Sequence, residues 1–204
     1  MIAASVVAIA FFVGSIPFGY LIGRIFYHTD IRAHGSGNVG AMNAMRAMGA
    51  RGAIATLLLD AGKGYVAALL ALHAHDGTVL VAVTAAAAVL GHCYSPWLGW
   101  KGGKGVATSV GAIFAISPAA GLICVAVWLA GVLATRYSSV GSMLANLAAP
   151  FALWYLTRNP AYVAYGIFAA LFIAYAHREN IGRLRAGREN GIPFLRRGRT
   201  ANRT

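Results

Sequence analysis

Apolar stretches recur along the chain at 2–26, 52–73, 78–98, 105–117, 118–135, 139–157 and 160–177, each bounded by charge, proline or a polar cluster. A backbone immersed in lipid must satisfy its own N–H and C=O groups, which leaves helices as the solution for segments of this length. The expected fold is therefore an all-α integral membrane protein of about seven transmembrane helices. It forms a single domain over residues 1–204, with a short basic cytoplasmic tail at about 178–204. Composition agrees, because 59% hydrophobic and 11% charged residues with a mean hydropathy of +0.66 lie far outside the range of soluble domains. The segment 105–117 stands apart: its thirteen residues rise only about 20 Å at helical pitch, so it is a short tilted helix or a re-entrant element. The first segment has no basic leader and is interrupted by Gly14-Ser15-Ile16-Pro17, so it reads as a retained helix and not as a signal peptide.

The formal charge of +12 would suggest nucleic acid in a soluble chain, but its distribution points to the membrane. With the N-terminus outside, fifteen of the 17 Lys and Arg fall in inside loops, their flanks and the tail: Arg24, Arg32, Arg46, Arg51, Lys101, Lys104, Arg136 and eight arginines between Arg178 and Arg203. Arg158 is outside and Lys63 lies within the second span. An even number of spans would separate the first of these groups from the tail, so the asymmetry favours an odd count with the C-terminus inside. No nucleic-acid partner is implied. Cys93 and Cys124 have neither disulfide nor zinc spacing, and His73, His75 and Asp76 form only a loose outside cluster, so no metal or cofactor is expected.

Four polar clusters share the inside face. The first, Gly35-Ser36-Gly37-Asn38-Val39-Gly40-Ala41-Met42-Asn43 with Arg46, combines small residues, amides, a hydroxyl and a guanidinium at a bilayer surface. Backbone amides at such a turn, the positive end of a helix starting near Gly40 and a forked Arg46 would together bind an anion. Its GxGxxG pattern lacks the preceding strand that a dinucleotide site needs. The second, Lys101-Gly102-Gly103-Lys104-Gly105-Val106-Ala107-Thr108, is only loosely like a P-loop, because Gly105 stands where Ser or Thr should follow the lysine. It reads either as an interfacial turn anchored by Trp97 and Trp100 or as a second anion loop opening a helix near Gly105. In the third, Ser138 and Ser139 are expected to cap a helix while Ser142 lies deeper, within reach of a substrate hydroxyl or phosphate. The fourth is His177-Arg178-Glu179-Asn180-Ile181-Gly182-Arg183-Leu184, where His177 and Asn180 share one helix face. Within the second span Asp60 and Lys63 stand one turn apart, which predicts a salt bridge at membrane depth. His92 reads as a hydrogen-bonded structural histidine.

These four motifs, together with Gly14-Ser15-Ile16-Pro17-Phe18-Gly19-Tyr20, resemble in order and spacing the bacterial membrane acyl-phosphate:glycerol-3-phosphate acyltransferases over nearly the whole chain. One departure is Met42, where that family usually has Thr; another is Arg188 before Glu189, which reads as tolerated at an exposed surface. The resemblance implies transfer of a fatty acyl group from acyl phosphate to the first hydroxyl of glycerol 3-phosphate, yielding lysophosphatidic acid and inorganic phosphate, at the cytoplasmic face of a bacterial inner membrane. Its implied catalytic residues are Ser36, Arg46, Lys104, His177 and Asn180. The implied substrate-binding residues are Gly37, Asn38, Gly40, Asn43, Gly102, Gly103, Gly105 and Ser142. Membrane lipid is the only other partner implied, with no obligate protein partner. No histidine has Asp five positions on, so the His-x4-Asp base of soluble-type acyltransferases is missing, and the substrate's own phosphate is left to take the hydroxyl proton. The competing readings are a small anion transporter, disfavoured by the lack of an inverted repeat, and a scaffold binding acidic lipid through its arginine-rich tail.

Overall fold

The computed structural model describes residues 2–74 and 77–192, and every regular element among them is helical. The nine α-helices are α1 (Ile2–Ser15), α2 (Phe18–Phe26), α3 (Ala41–His73), α4 (Thr78–Cys93), α5 (Val106–Ile116), α6 (Pro118–Thr135), α7 (Ser138–Thr157), α8 (Pro160–Ala176) and α9 (Arg178–Arg185). Four of them, α3, α4, α6 and α7, are long and apolar enough to cross a membrane singly. Counting the bent pairs α1 with α2 and α8 with α9 as one span each raises the number to six, and α5 is a further, shorter apolar helix. Eleven residues of α5 rise about 16 Å, well short of a hydrocarbon core of about 30 Å, as its sequence length suggested.

Two expectations about helix ends need correction. The first apolar segment is not one helix: it breaks at Ile16 and Pro17 and turns by 41°. Proline cannot continue the N–H ladder, and the carbonyl of Ile16 is taken up instead by the Lys63 ammonium at 2.9 Å. The second concerns α7, whose N-cap is Tyr137 with no side-chain cap, while the Ser139 hydroxyl donates to Glu189 at 2.9 Å. Both glycine-loop helices start where expected, α3 after Gly40 and α5 after Gly105. Gly105 adopts φ +81°, a left-handed conformation that a side chain would strain. In α3 the chain kinks at Gly49, φ +73°, so a short arm precedes the membrane-length part.

Helices approach closely wherever small residues face one another. A Cβ added to Gly64 would overlap the backbone of Thr108, and one on Gly111 would overlap that of Ala61, so α3 and α5 cross almost backbone to backbone. Gly14 meets Ala88 and Gly91 meets Phe11 in the same way between α1 and α4. Such small-residue crossings suit a bilayer, where dispersion contacts and not water exclusion drive helix association. Between α3, α4, α5, α6, α7 and α8 lies a core rich in alanine and closed by Ile113, Leu153 and Tyr165. Large side chains such as Leu58, Phe151 and Leu171 point outward, as expected of lipid-facing surface.

Replacing Gly64 by Ala should lower detergent-solubilised stability by about 1–3 kcal/mol through overpacking at the α3–α5 crossing. Gly62, two residues before Gly64 but with nothing within 4 Å of an added Cβ, should instead gain about 0.5–1 kcal/mol as Ala. Thermal unfolding of the two variants compares them directly.

Candidate active site

A cleft of about 310 Å³ opens at one end of the bundle, lined by Arg32, Ser36, Gly37, Asn38, Leu98, Lys101, Gly102, Lys104, Glu179 and Arg183. It brings together three of the four clusters picked out in the sequence. Four cations and one carboxylate face it, a balance that favours an anion, although Arg32 is paired with Asp30 at 2.7 Å and braced over the Tyr20 ring. The Arg32 guanidinium holds the Asp30 carboxyl down at about 2, the hydrogen bond outweighing what little burial there is.

The first loop is shaped from behind by Asn43. Buried to 2% exposure, its Oδ1 accepts from the Ser36 N–H at 3.0 Å and its Nδ2 donates to the Ile31 carbonyl at 2.7 Å. Asn43 therefore helps to build the loop. Asn38 accepts from the Gly40 N–H at 2.9 Å, which leaves its Nδ2 hydrogens for a ligand. Arg46, on the second turn of α3, lies against Gly35, and its charge reaches Lys104.

The backbone amides expected to bind an anion prove to be used differently. Gly102 donates to the Cys93 carbonyl at 2.9 Å, Gly103 to that of His92 at 3.0 Å, and Gly37 to that of His34 at 2.9 Å. Glycine is required in the second loop because a Cβ at either Gly102 or Gly103 would collide with His92. These turns are tight seats for side chains, and the side chains of Arg32, Ser36, Asn38, Lys101, Lys104 and Arg183 line the cleft.

Lys104 is the most constrained of them. Its ammonium donates to Asn180 Oδ1, and burial, reinforced by the Arg183 charge, pulls its pKa down to about 8. Asn180 in turn donates from Nδ2 to Glu189 at 2.6 Å, and Glu189 also accepts from Arg183 Nε at 2.8 Å and from Ser139. Burial pushes the Glu189 carboxyl up, but the hydrogen bonds from Asn180, Arg183 and Ser139 together hold it below 4.5. His177 sits at the 55° junction of α8 and α9, 3% exposed, with Nδ1 paired to the Ile173 carbonyl at 2.8 Å. It and Asn180 are not on one continuous helix: His177 caps the end of α8, and Asn180 belongs to α9. Ser142 does not line the cleft: it is buried on α7, its carbonyl accepting from Asn146 at 3.0 Å, in a row that continues through Ser109 to Tyr165.

The family model for glycerol-3-phosphate acyltransferase matches residues 4–187. The chain belongs to that family. It is 45% identical over 184 residues to glycerol-3-phosphate acyltransferase 2 of Moorella thermoacetica, covering 90% of this chain and 94% of the relative. It is likewise 45% identical over 183 residues to the glycerol-3-phosphate acyltransferase of Geobacter sulfurreducens, with the same coverage. Its fold superposes on the crystal structure of PlsY (YgiH), an integral membrane glycerol 3-phosphate acyltransferase in its glycerol 3-phosphate form, with a TM-score of 0.90 and 39% identity over 96% of this chain and 98% of that one. The lysophosphatidic acid form of PlsY gives a TM-score of 0.87.

As a member of an acyltransferase family this chain is an enzyme, and its cleft includes residues that sequence reasoning did not assign. Arg32, Lys101 and Arg183 line it, and Glu189 ties its far wall together. Arg183 follows Asn180 by one helical turn, a spacing that could have flagged it; Glu189 lies beyond the helix and gave no periodic signal. Arg188 is exposed, as expected. His75 and Asp76 of the loose outside cluster lie outside the described residues, and His73 bonds back to Leu69.

Because the Glu189 carboxyl is held below its ordinary 4.5, its stabilisation is fully present above that value and lost as pH falls through the lower folded value. Acid unfolding of the protein should thus steepen below about pH 4.5, and Glu189→Gln should flatten that limb while lowering stability at pH 7 by about 1–3 kcal/mol, measured by unfolding against pH.

Proposed function

We propose that this enzyme transfers a fatty acyl group from acyl phosphate to the first hydroxyl of glycerol 3-phosphate, giving lysophosphatidic acid and inorganic phosphate, the first acylation of phospholipid synthesis. The observation that carries the reading is the cationic cleft itself, walled by the Ser36–Asn38 turn and the Lys101–Lys104 turn at the end of an apolar bundle. Both substrates carry phosphate, and the donor adds an acyl chain that suits the apolar surface. The substrate in the family's name, glycerol 3-phosphate, agrees with it.

Acyl phosphate is a mixed anhydride with phosphate as leaving group, so positioning and charge stabilisation suffice without a covalent enzyme intermediate. The glycerol hydroxyl attacks the acyl carbon, the bond from that carbon to the phosphate oxygen breaks, and the hydroxyl proton ends on phosphate. Arg46 and Lys104 hold phosphate oxygens, with Lys104 aimed by Asn180 and Glu189. Ser36 and Asn38 serve the acyl-phosphate side, while Ser142, His177 and Asn180 lie nearer glycerol 3-phosphate. Ser142 is buried away from the open cleft, so its part requires the substrate to reach inward. No metal or other cofactor enters this chemistry. The Lys and Arg distribution supports seven crossings, α5 being the short one, with the N-terminus outside and the cleft facing the cytoplasm of an inner membrane.

Purified protein in detergent should release phosphate from acyl phosphate only when glycerol 3-phosphate is present, with little product from acyl-CoA or acyl carrier protein and no loss on adding EDTA. Robust lysophosphatidic acid formation from acyl-CoA would overturn the donor assignment. Lys104→Ala or Arg46→Ala, folded normally, should lose about 30- to 1000-fold in kcat/KM. For the intact enzyme kcat/KM should fall as pH rises through about 8, where the Lys104 ammonium loses its proton, and Lys104→Arg should remove that limb.

A further inference from the structure

Three ionisable side chains lie buried together behind the cleft, and the acyl transfer described above uses none of them. Asp60 and Lys63 on α3 and His92 on the last turn of α4 are 3%, 4% and 6% exposed. Lys63 Nζ lies 2.8 Å from Asp60 Oδ1, and His92 Nδ1 lies 3.6 Å from the same oxygen. Lys63 also donates to Ile16 at the break between α1 and α2, so three stretches of chain meet at one ionic knot. A buried ion pair is a poor source of cohesion, because desolvation offsets its Coulomb attraction and well-packed apolar residues do as well. Its placement points to another role. On the far side of the imidazole, a Cβ built on Gly103 would fall on His92 Nε2, and one on Gly102 would fall on the His92 carbonyl. That carbonyl accepts the Gly103 N–H at 3.0 Å, and the next residue is Lys104. The His92 ring is thus the wall against which the Lys104 turn closes, with Asp60 and Lys63 on its other edge.

We infer that His92, held by the Asp60–Lys63 ion pair, is a positioning residue for Lys104, fixing the path of the 101–105 turn and so the place of the ammonium in the cleft. None of the three lines the cleft, so their effect passes through the turn. The inference rests on Lys104 acting at substrate phosphate, which Lys104→Ala tests separately.

A double-mutant cycle of Gly103→Ala and His92→Ala distinguishes the outcomes, with kcat/KM for glycerol 3-phosphate and the unfolding temperature measured for each protein in detergent. Gly103→Ala should lose about 100-fold in kcat/KM, since its methyl pushes the turn off the ring, and His92→Ala about tenfold. The double variant should regain at least about fivefold over Gly103→Ala, because the methyl then occupies room the ring has left. Multiplicative losses, or full activity in His92→Ala, would overturn the inference. So would unfolding temperatures that fall without kinetic rescue, the signature of a role confined to cohesion. If His92→Ala does not give homogeneous protein, His92→Asn, which also vacates the Nε2 position, runs the same cycle with the same criteria. Full activity in Lys104→Ala would sink the reading of Lys104 itself, whereas an impaired Lys104→Ala without rescue in the cycle would sink only the role of His92.

Discussion

Two backbone hydrogen bonds, from Gly102 to the Cys93 carbonyl and from Gly103 to the His92 carbonyl, determine where Lys104, a half-buried cation of the cleft, can stand. The last carbonyls of a helix lack intrahelical donors, and α4 satisfies two of them with the turn that leads into α5. The same connection is tied to the first helix, since Ser95 donates to the Ser15 carbonyl at 2.7 Å and the Trp97 indole donates to the Ser15 hydroxyl at 2.8 Å. A site at the rim of a bundle would otherwise be a set of mobile loops. Here the loop geometry is inherited from helices packed backbone to backbone.

The electrostatics follow from that seating. Lys104 loses hydration on entering the turn, and the Arg183 charge adds to the burden, so its proton is held more weakly than on an exposed lysine. A bound phosphate would relieve both effects, so the charge of the cleft suits an anion. Glu189 keeps the arrangement from flying apart: its carboxylate gathers Asn180, Arg183 and Ser139, joining α9 to the start of α7. The chain beyond Glu189 is tied back by Ile192, which donates to the Arg136 carbonyl at 3.1 Å at the start of the third cluster.

Much of this was legible in the sequence because it depends on local composition. Apolar length predicted a helical bundle with several candidate spans, Gly40 and Gly105 marked two helix starts, and the one-turn spacing of Asp60 and Lys63 predicted their contact. The short α5 was visible as a deficit in length. Motifs with Ser36, Asn38, Lys104 and Asn180 identified side chains that do meet, because anion chemistry needs those groups whatever the fold.

What the sequence by itself determined, then, was the helical membrane class and the residues able to bind an anion, both consequences of polarity read along the chain. Only the tertiary structure decided how they are used. Whether a glycine amide faces a ligand or a carbonyl depends on which helix end lies beneath it, and Gly102 and Gly103 turn out to face α4. Whether a carboxylate is an exposed tail residue or the hub of a wall depends on two helices converging, as α7 and α9 do on Glu189. Such contacts join residues as far apart as Lys104 and Asn180, and no local pattern encodes them, because they arise from the crossing of packed helices and not from neighbours in the chain.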